Sequence, residues 1–242
     1  MSAVTPIDAH PLDNPVWSSL SAAHASLADL APVDASPAGR YQRDVCPFGA
    51  LANARDPSAW SALAGLLAGR PVALIVEPDE VPAGWEVTGT IPGVQMDGSR
   101  LEPAVDPELV PLHPGDVPEM LALVERTRPG PFLPRTIEMG TYLGLRCRGS
   151  LVAMGGERLH PVGWTEISAV CTEPEFRGQG IATRLVRAVA AAIAARGERP
   201  FLHAAATNEQ AIRLYRSLGF DMRRAVSFTS VREQQGSRGR AQ

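Results

Sequence analysis

The chain has 242 residues, enough for one large domain or two small ones with a real interior to bury. Hydrophobic residues make up 45% and charged residues 20%, which excludes a disordered polyelectrolyte and fits an ordinary globular protein. The net charge of −3 is the sum of two unequal parts: residues 1–104 hold 5 Arg against 12 Asp and Glu, and residues 105–242 hold 18 Arg against 14. The basic part suits a small polyanionic ligand but lacks the clustered charge expected of a nucleic-acid surface. No lysine occurs, so no lysine side chain is open to self-acylation. Cys46, Cys147 and Cys171 are an odd number, widely spaced and without a C-x-x-C, so neither a disulfide framework nor a zinc site is indicated and no metal is expected. Met1 to Asn14 carries no basic and apolar leader, and the longest apolar run, Ala188 to Ala195, is too short to span a bilayer. A cytoplasmic protein without membrane contact is the expectation.

In chain order, residues 14–30 read as a weak helix with Trp17, Leu20, Leu27 and Leu30 as its apolar set. Asp34 to Gly39 is a break, Ala59 to Leu67 a second helix, and Val72 to Val76 a short buried strand. The Pro- and Gly-rich stretch 77–107 leaves room for short strands at Trp85–Thr88 and Val94–Met96. A boundary is expected near 98–107, giving units at 1–104 and 105–232 and a disordered tail at 233–242. Val110–Leu112 reads as a strand, and Asp116 with Glu119 as a capping-box start to a helix striped by Val117, Met120 and Val124. A short helix at Thr136–Met139 comes next. Tyr142–Arg146 and Leu151–Met154 flank a hairpin loop, and Gly155-Gly156 marks a bulge. Trp164–Cys171 is a strand. A long helix then carries Ile181, Leu185, Val189 and Ile193 at every fourth position. Phe201–Ala206 is a strand, Asn208–Leu218 a helix stopped by Gly219, and Val226–Val231 the last strand.

The informative segment is 167–220. Arg177-Gly178-Gln179-Gly180 lies where a strand turns into a helix. The first turn of a helix has N–H groups without internal partners and a partial positive charge, and glycines let a phosphate approach the backbone. For a lone G-x-G the bland alternative stays open: a tight turn that needs glycine only for its backbone angles. Two rival cradles fail. A P-loop needs a lysine, and a dinucleotide fingerprint needs a small residue where Thr183 stands and more βα units than the 62 residues after Gly180 can build.

The run Ala169-Val170-Cys171-Thr172-Glu173-Pro174-Glu175-Phe176-Arg177-Gly178-Gln179-Gly180-Ile181-Ala182 resembles the core motif of the GNAT superfamily of acyl-CoA-dependent N-acetyltransferases. Asn208-Glu209-Gln210-Ala211-Ile212-Arg213-Leu214-Tyr215-Arg216-Ser217-Leu218-Gly219-Phe220 resembles the second half of the same signature. The resemblance covers about residues 108–232. It implies an α/β fold of the GNAT type, a mixed central sheet flanked by helices. The first hundred residues would add an N-terminal α/β domain, with a degenerate GNAT-like half, a cap and an acceptor-binding domain as alternatives. It further implies acetyl-CoA as acyl donor, with Val170, Cys171 and Thr172 pairing with the pantetheine arm. Arg177, Gly178, Gln179, Gly180, Ile181, Ala182 and Thr183 would hold the pyrophosphate, Asn208 would touch the pantetheine, and Tyr215 would protonate the departing thiolate.

Direct attack by a neutral amine also needs a base, and Glu166, at the start of the motif strand, is the first candidate, with Glu157 as its rival. Each residue has a plainer alternative. Tyr215 fits a core stripe, Asn208 a helix cap, Cys171 a small buried strand residue, and Arg184 and Arg187 a solvated helix face. His203 could face the site or the core. The acceptor would be a small-molecule amine or a protein amine, bound by loops near 130–141 and 157–164, in a monomer or homodimer. The second reading is a non-catalytic acyl-CoA-binding regulatory module.

Overall fold

A computed structural model describes residues 10–31 and 37–234. The first nine residues, positions 34–36 of the expected break and 235–242 of the expected tail lie outside the described residues. Helix α1 (Pro15–Leu20) begins where Asn14 accepts the Trp17 N–H at 3.4 Å. It stops after six residues instead of running to 30. The Ser19 and Ser21 hydroxyls bond back to the Pro15 and Trp17 carbonyls, both at 2.7 Å, the local competition by which serine weakens a helix. The chain then forms β1 (Ala28–Leu30), β2 (Ala38–Tyr41) and β3 (Gly49–Leu51), a three-stranded antiparallel sheet. Asp56 caps α2 (Pro57–Leu67) through the Ser58 N–H at 2.8 Å, and α2 buries Ala59, Trp60, Leu63 and Leu67.

The rest of the chain supplies β4 (Val72–Ile75), β5 (Trp85–Asp97), β6 (Val110–Pro111), α3 (Val117–Thr127), β7 (Tyr142–Cys147) and β8 (Ser150–Glu157). It continues with β9 (Trp164–Thr172), α4 (Ile181–Ala195), β10 (Arg199–Ala205), α5 (Glu209–Ser217) and β11 (Asp221–Glu233). One eight-stranded sheet holds all eight strands from β4 onward in the order β4-β11-β5-β10-β9-β8-β7-β6. The sheet is continuous across the expected boundary: β5, from before it, lies between β10 and β11, from after it. The two short strands expected in 85–96 are one strand of 13 residues, broken in the sequence by Gly89, Pro92 and Gly93. Pro92 is tolerated because β10 pairs with β5 only over Gly93–Asp97. Glycine is needed at 93, where a Cβ would stand 2.5 Å from the Phe228 ring.

Alternation along β10 assigns the faces. Phe201 packs with Leu12, Val16, Leu20 and Tyr41 of the N-terminal unit, while Leu202 packs with Val186, Val189 and Ile193 of α4 and with Leu218 and Phe220. The expected α4 stripe is buried as read. The capping box at Asp116 does not form. Its carboxylate accepts the His113 N–H at 2.8 Å and pairs with Arg146 at 2.6 Å, and Glu119 also turns to Arg146, at 2.7 Å.

A polar contact ties the N-terminal unit to the sheet side of the molecule and makes it acid-sensitive. His24 is buried, with Nδ1 2.8 Å from the Tyr41 hydroxyl and Nε2 3.0 Å from the Met139 carbonyl. The phenol therefore donates to Nδ1 and Nε2–H donates to the carbonyl, which fixes a neutral ring. Burial first, and the neighbouring His160 second, bring its pKa from 6.5 down to about 4. The unfolded chain takes up a proton here that the folded chain refuses, so stability is full above pH 6.5 and falls as the pH drops from 6.5 to 4, by about 3 kcal/mol. Urea unfolding of wild type and His24→Gln at pH 7 and pH 4.5 checks this. The variant should lose much less stability on acidification; equal losses would contradict it.

Candidate functional site

Strands β9 and β10 are parallel and pair only at Arg199↔Trp164, Pro200↔Thr165 and Phe201↔Glu166. Beyond that point β9 runs on to Thr172, held by β8 as far as Ala153↔Thr172, and β10 runs on to Ala205, held by β5 as far as Gly93↔Ala205. Each strand is kept by its outer neighbour while the two part from each other. The result is a V-shaped opening whose inner edges carry unpaired strand backbone. In β9 the wall bulges. Gly156↔Ser168 and Met154↔Cys171 leave one extra residue on β9, and Ala169 there has a φ of 54°, in the left-handed region. The bulge expected from Gly155-Gly156 therefore places its extra residue on the facing strand.

At the mouth of the V stands the amino end of α4. Gly178 and Gly180 have φ of 76° and 75°, and nothing lies within 4 Å of a Cβ at either. Among the described residues no side chain caps α4, and the first N–H to find a backbone acceptor is that of Arg184, on the Gly180 carbonyl at 3.2 Å. The N–H groups of Ile181, Ala182 and Thr183 are left open around a turn without side-chain bulk, which is the physical requirement for holding a phosphate. Arg177 folds its Nε onto the Thr172 carbonyl at 3.2 Å, tying the turn to the end of β9. The Thr172 hydroxyl is buried beside the V without a partner.

Val170, Thr172 and the whole of 177–183 thus border one opening. Cys171 is buried on the α3 side, with Met154 and Ala169, and burial pushes its thiol up to about 11, so it is a packing residue rather than a thiolate. Asn208 caps α5, its Oδ1 accepting the Ala211 N–H at 3.2 Å. Half-buried Tyr215 lies on the inner stripe of α5, its ring 5.7 Å from that of Phe220, and burial pushes its phenol up to about 12, which keeps the proton on oxygen at neutral pH. Arg184 is taken by Asp106 and Glu108, at 2.5 Å each.

Glu166 does not stand free as a base would. It is completely buried, and its carboxylate accepts two bonds from Arg158, from Nε at 2.7 Å and from NH2 at 2.6 Å, and a third from His203 Nδ1 at 2.7 Å. Burial alone would raise this carboxyl, but the Arg158 charge and the hydrogen bonds outweigh it and bring the pKa down to about 2. A carboxylate held this way is a weak proton acceptor, which corrects the role expected of Glu166. Glu157, the rival, is also buried, paired with Arg196 at 2.9 Å. With Nδ1–H committed to Glu166, His203 Nε2 accepts from the Gln95 amide at 3.1 Å. Arg158 and Gln95 were missed in the sequence. The one available signal was the opposite charge of Arg158 and Glu166 on either side of the Pro161–Gly163 turn, where Arg158 N–H also meets the Glu166 carbonyl at 3.0 Å.

A parted pair of parallel strands with a glycine-lined helix end at its mouth offers free backbone groups that could hold an elongated ligand carrying a phosphate. The chain belongs to the GNAT family of acetyltransferases: it is 41% identical to a GNAT-family protein from Novosphingobium aromaticivorans, with 94% of this chain and all of that one covered and a TM-score of 0.80. The FR47-like protein model matches residues 142–229. A GCN5-related N-acetyltransferase from Kribbella flavida (17% identity, 90% and 94% covered, TM-score 0.57) and a Drosophila protein (13%, 83% and 74%, TM-score 0.60) share the fold. No curated protein matches the chain.

Proposed function

We propose that the chain transfers an acetyl group from acetyl-CoA to a primary amine by direct attack. The observation that carries this reading is the open amino end of α4 at the mouth of the β9–β10 opening, with Tyr215 packed on the α4 side of the sheet. The N–H groups from Gly178 to Thr183 would receive the pyrophosphate, and the free backbone edge of β9 at Val170–Thr172 would pair with the pantetheine amides as an added strand. The phenol of Tyr215 keeps its proton at neutral pH and so can give it to the thiolate as the C–S bond breaks. Glu166 acts here as a positioning residue, fixing Arg158 and His203 beneath the point where the strands part. The acceptor would enter on the face opposite α4, between the sheet and two loops that bind each other. Arg135 N–H meets the Asp44 carbonyl at 2.9 Å, and the Thr136 hydroxyl donates to the Val45 carbonyl at 2.6 Å. These tie the N-terminal unit to the loop before β7 and make it part of the acceptor wall.

Tyr215→Phe tests the assignment. The variant should lose about 100-fold in kcat, the scale of general acid catalysis, while the Kd for acetyl-CoA stays within about twofold, because a single hydroxyl is removed and the ring packing is kept. Release of free thiol from acetyl-CoA in an amine panel measures the first and calorimetry the second. Equal losses of rate and affinity would show that Tyr215 only packs.

A further inference from the structure

Two cavities open along the seam between the N-terminal unit and the β4–β11–β5 end of the sheet, remote from the parted strands. The smaller has a volume of about 180 Å³, and Asp13, Ala54, Val76, Glu80 and Arg224 are among its lining residues. An apolar cavity of about 150 Å³ holds one benzene, so there is room for a small organic molecule.

The charged groups of this cavity are incompletely used. Arg224 is half-buried; among the described residues its Nε is shielded from water with no hydrogen-bond partner, and its Nη2 donates to the Asp13 carbonyl at 3.0 Å. No carboxylate among the described residues forms an ion pair with it. Asp13, also on the rim, spends Oδ1 on Arg223 at 2.5 Å and Oδ2 on the His10 N–H at 3.2 Å. Glu80 Oε2 accepts the Glu77 N–H at 3.0 Å, and among the described residues no donor meets its Oε1. Burial and the adjacent Arg223 disfavour the Arg224 charge, while Asp13, Glu77 and Glu80 favour it. None of the three closes an ion pair with it among the described residues, so its guanidinium is open to an anion supplied from outside.

We propose that this cavity binds a free α-amino acid with a small apolar side chain, its carboxylate on Arg224, its ammonium on Glu80 and its side chain against Ala54 and Val76. A simple carboxylate would meet the acidic Glu80 and Asp13, and a simple amine would meet Arg224. An amphoteric molecule satisfies both ends, and Ala54 and Val76 leave room for a small apolar side chain. The site is separate from the acetyl-CoA opening and stands whether or not that reading holds.

Calorimetric titration of the full chain with glycine, L-alanine, L-valine and L-leucine, with isovalerate and isobutylamine as the two halves of valine, tests it. Valine or leucine should bind with a sub-millimolar Kd and each half about tenfold or more weaker, since each lacks one charged contact. Arg224→Gln should weaken the amino acid about tenfold or more, and Ala54→Leu, which fills the cavity wall without touching the charge, should abolish binding. Thermal melts confirm that both variants fold. Failure of all four amino acids to bind, isovalerate binding as tightly as valine, or affinities unchanged in folded variants would each overturn the proposal.

Discussion

Replacing Gly180 with glutamate is expected to weaken acetyl-CoA binding about 100-fold while leaving the fold intact. Two effects add. The residue at 180 has a φ of 75°, where a non-glycine side chain costs about 1–2 kcal/mol, so the turn would relax away from its present shape. The new carboxylate would also sit at the amino end of α4 and take the N–H groups of Ile181, Ala182 and Thr183 for itself, competing with the phosphate for one positive helix end. Each 1.4 kcal/mol is a factor of ten in Kd, so the two together reach the stated scale. The space around the position is open, so crowding plays no part and the protein should stay folded. Gly149→Ala, in the β7–β8 hairpin at φ 86°, is the control: it carries backbone strain of the same kind but should leave affinity unchanged. A folded Gly180→Glu variant with wild-type affinity would remove the phosphate cradle from the account.

Glu166→Gln is expected to act on stability before it acts on rate. The substitution leaves the Arg158 guanidinium buried with no counter-charge, and breaking a buried pair from one side costs about 3–5 kcal/mol. For a chain of this size that lowers Tm by roughly 10 °C. Wild type should show the same dependence on acid. The folded pKa of about 2 lies below the ordinary carboxyl value of 4.5, so the stabilisation is present above pH 4.5 and is lost as the pH falls from 4.5 toward 2. Replacing both partners by apolar residues, Arg158→Met with Glu166→Leu, should recover much of the lost stability, because no lone charge remains. A Tm within about 2 °C of wild type for Glu166→Gln would show that the pair is not held as described.

The legible parts of this sequence are those whose signal is local. The α4 stripe shows because one face of a long helix is buried, and the glycine turn shows because a left-handed backbone at 178 and 180 demands a residue type that can be read directly. The strands β2 and β3 were not seen. They are short and include Gly39 and Gly49, where a Cβ would press on Leu30 or Val72 at less than 3 Å, so close packing replaced the alternation that marks a strand. Strand β5 was hidden for a related reason and, with it, the single sheet: the charge contrast between the two parts of the chain is real, but strand pairing between residues 93–97 and 201–205 follows from no local pattern. The environment of Glu166 is set by Arg158, eight positions away, and by His203, 37 positions away. From the sequence alone the same glutamate reads as a candidate base at the start of a strand. The strand is there, but the role depended on partners that only the fold brings together.

Calorimetric titration of the wild-type chain with acetyl-CoA shows directly whether the open end of α4 and the parted strands form its site. Saturable binding at one site per chain is expected, with a micromolar Kd that weakens as salt is raised, as phosphate contacts require. Absence of binding at millimolar acetyl-CoA would contradict it and would leave Gly178 and Gly180 as a turn and nothing more.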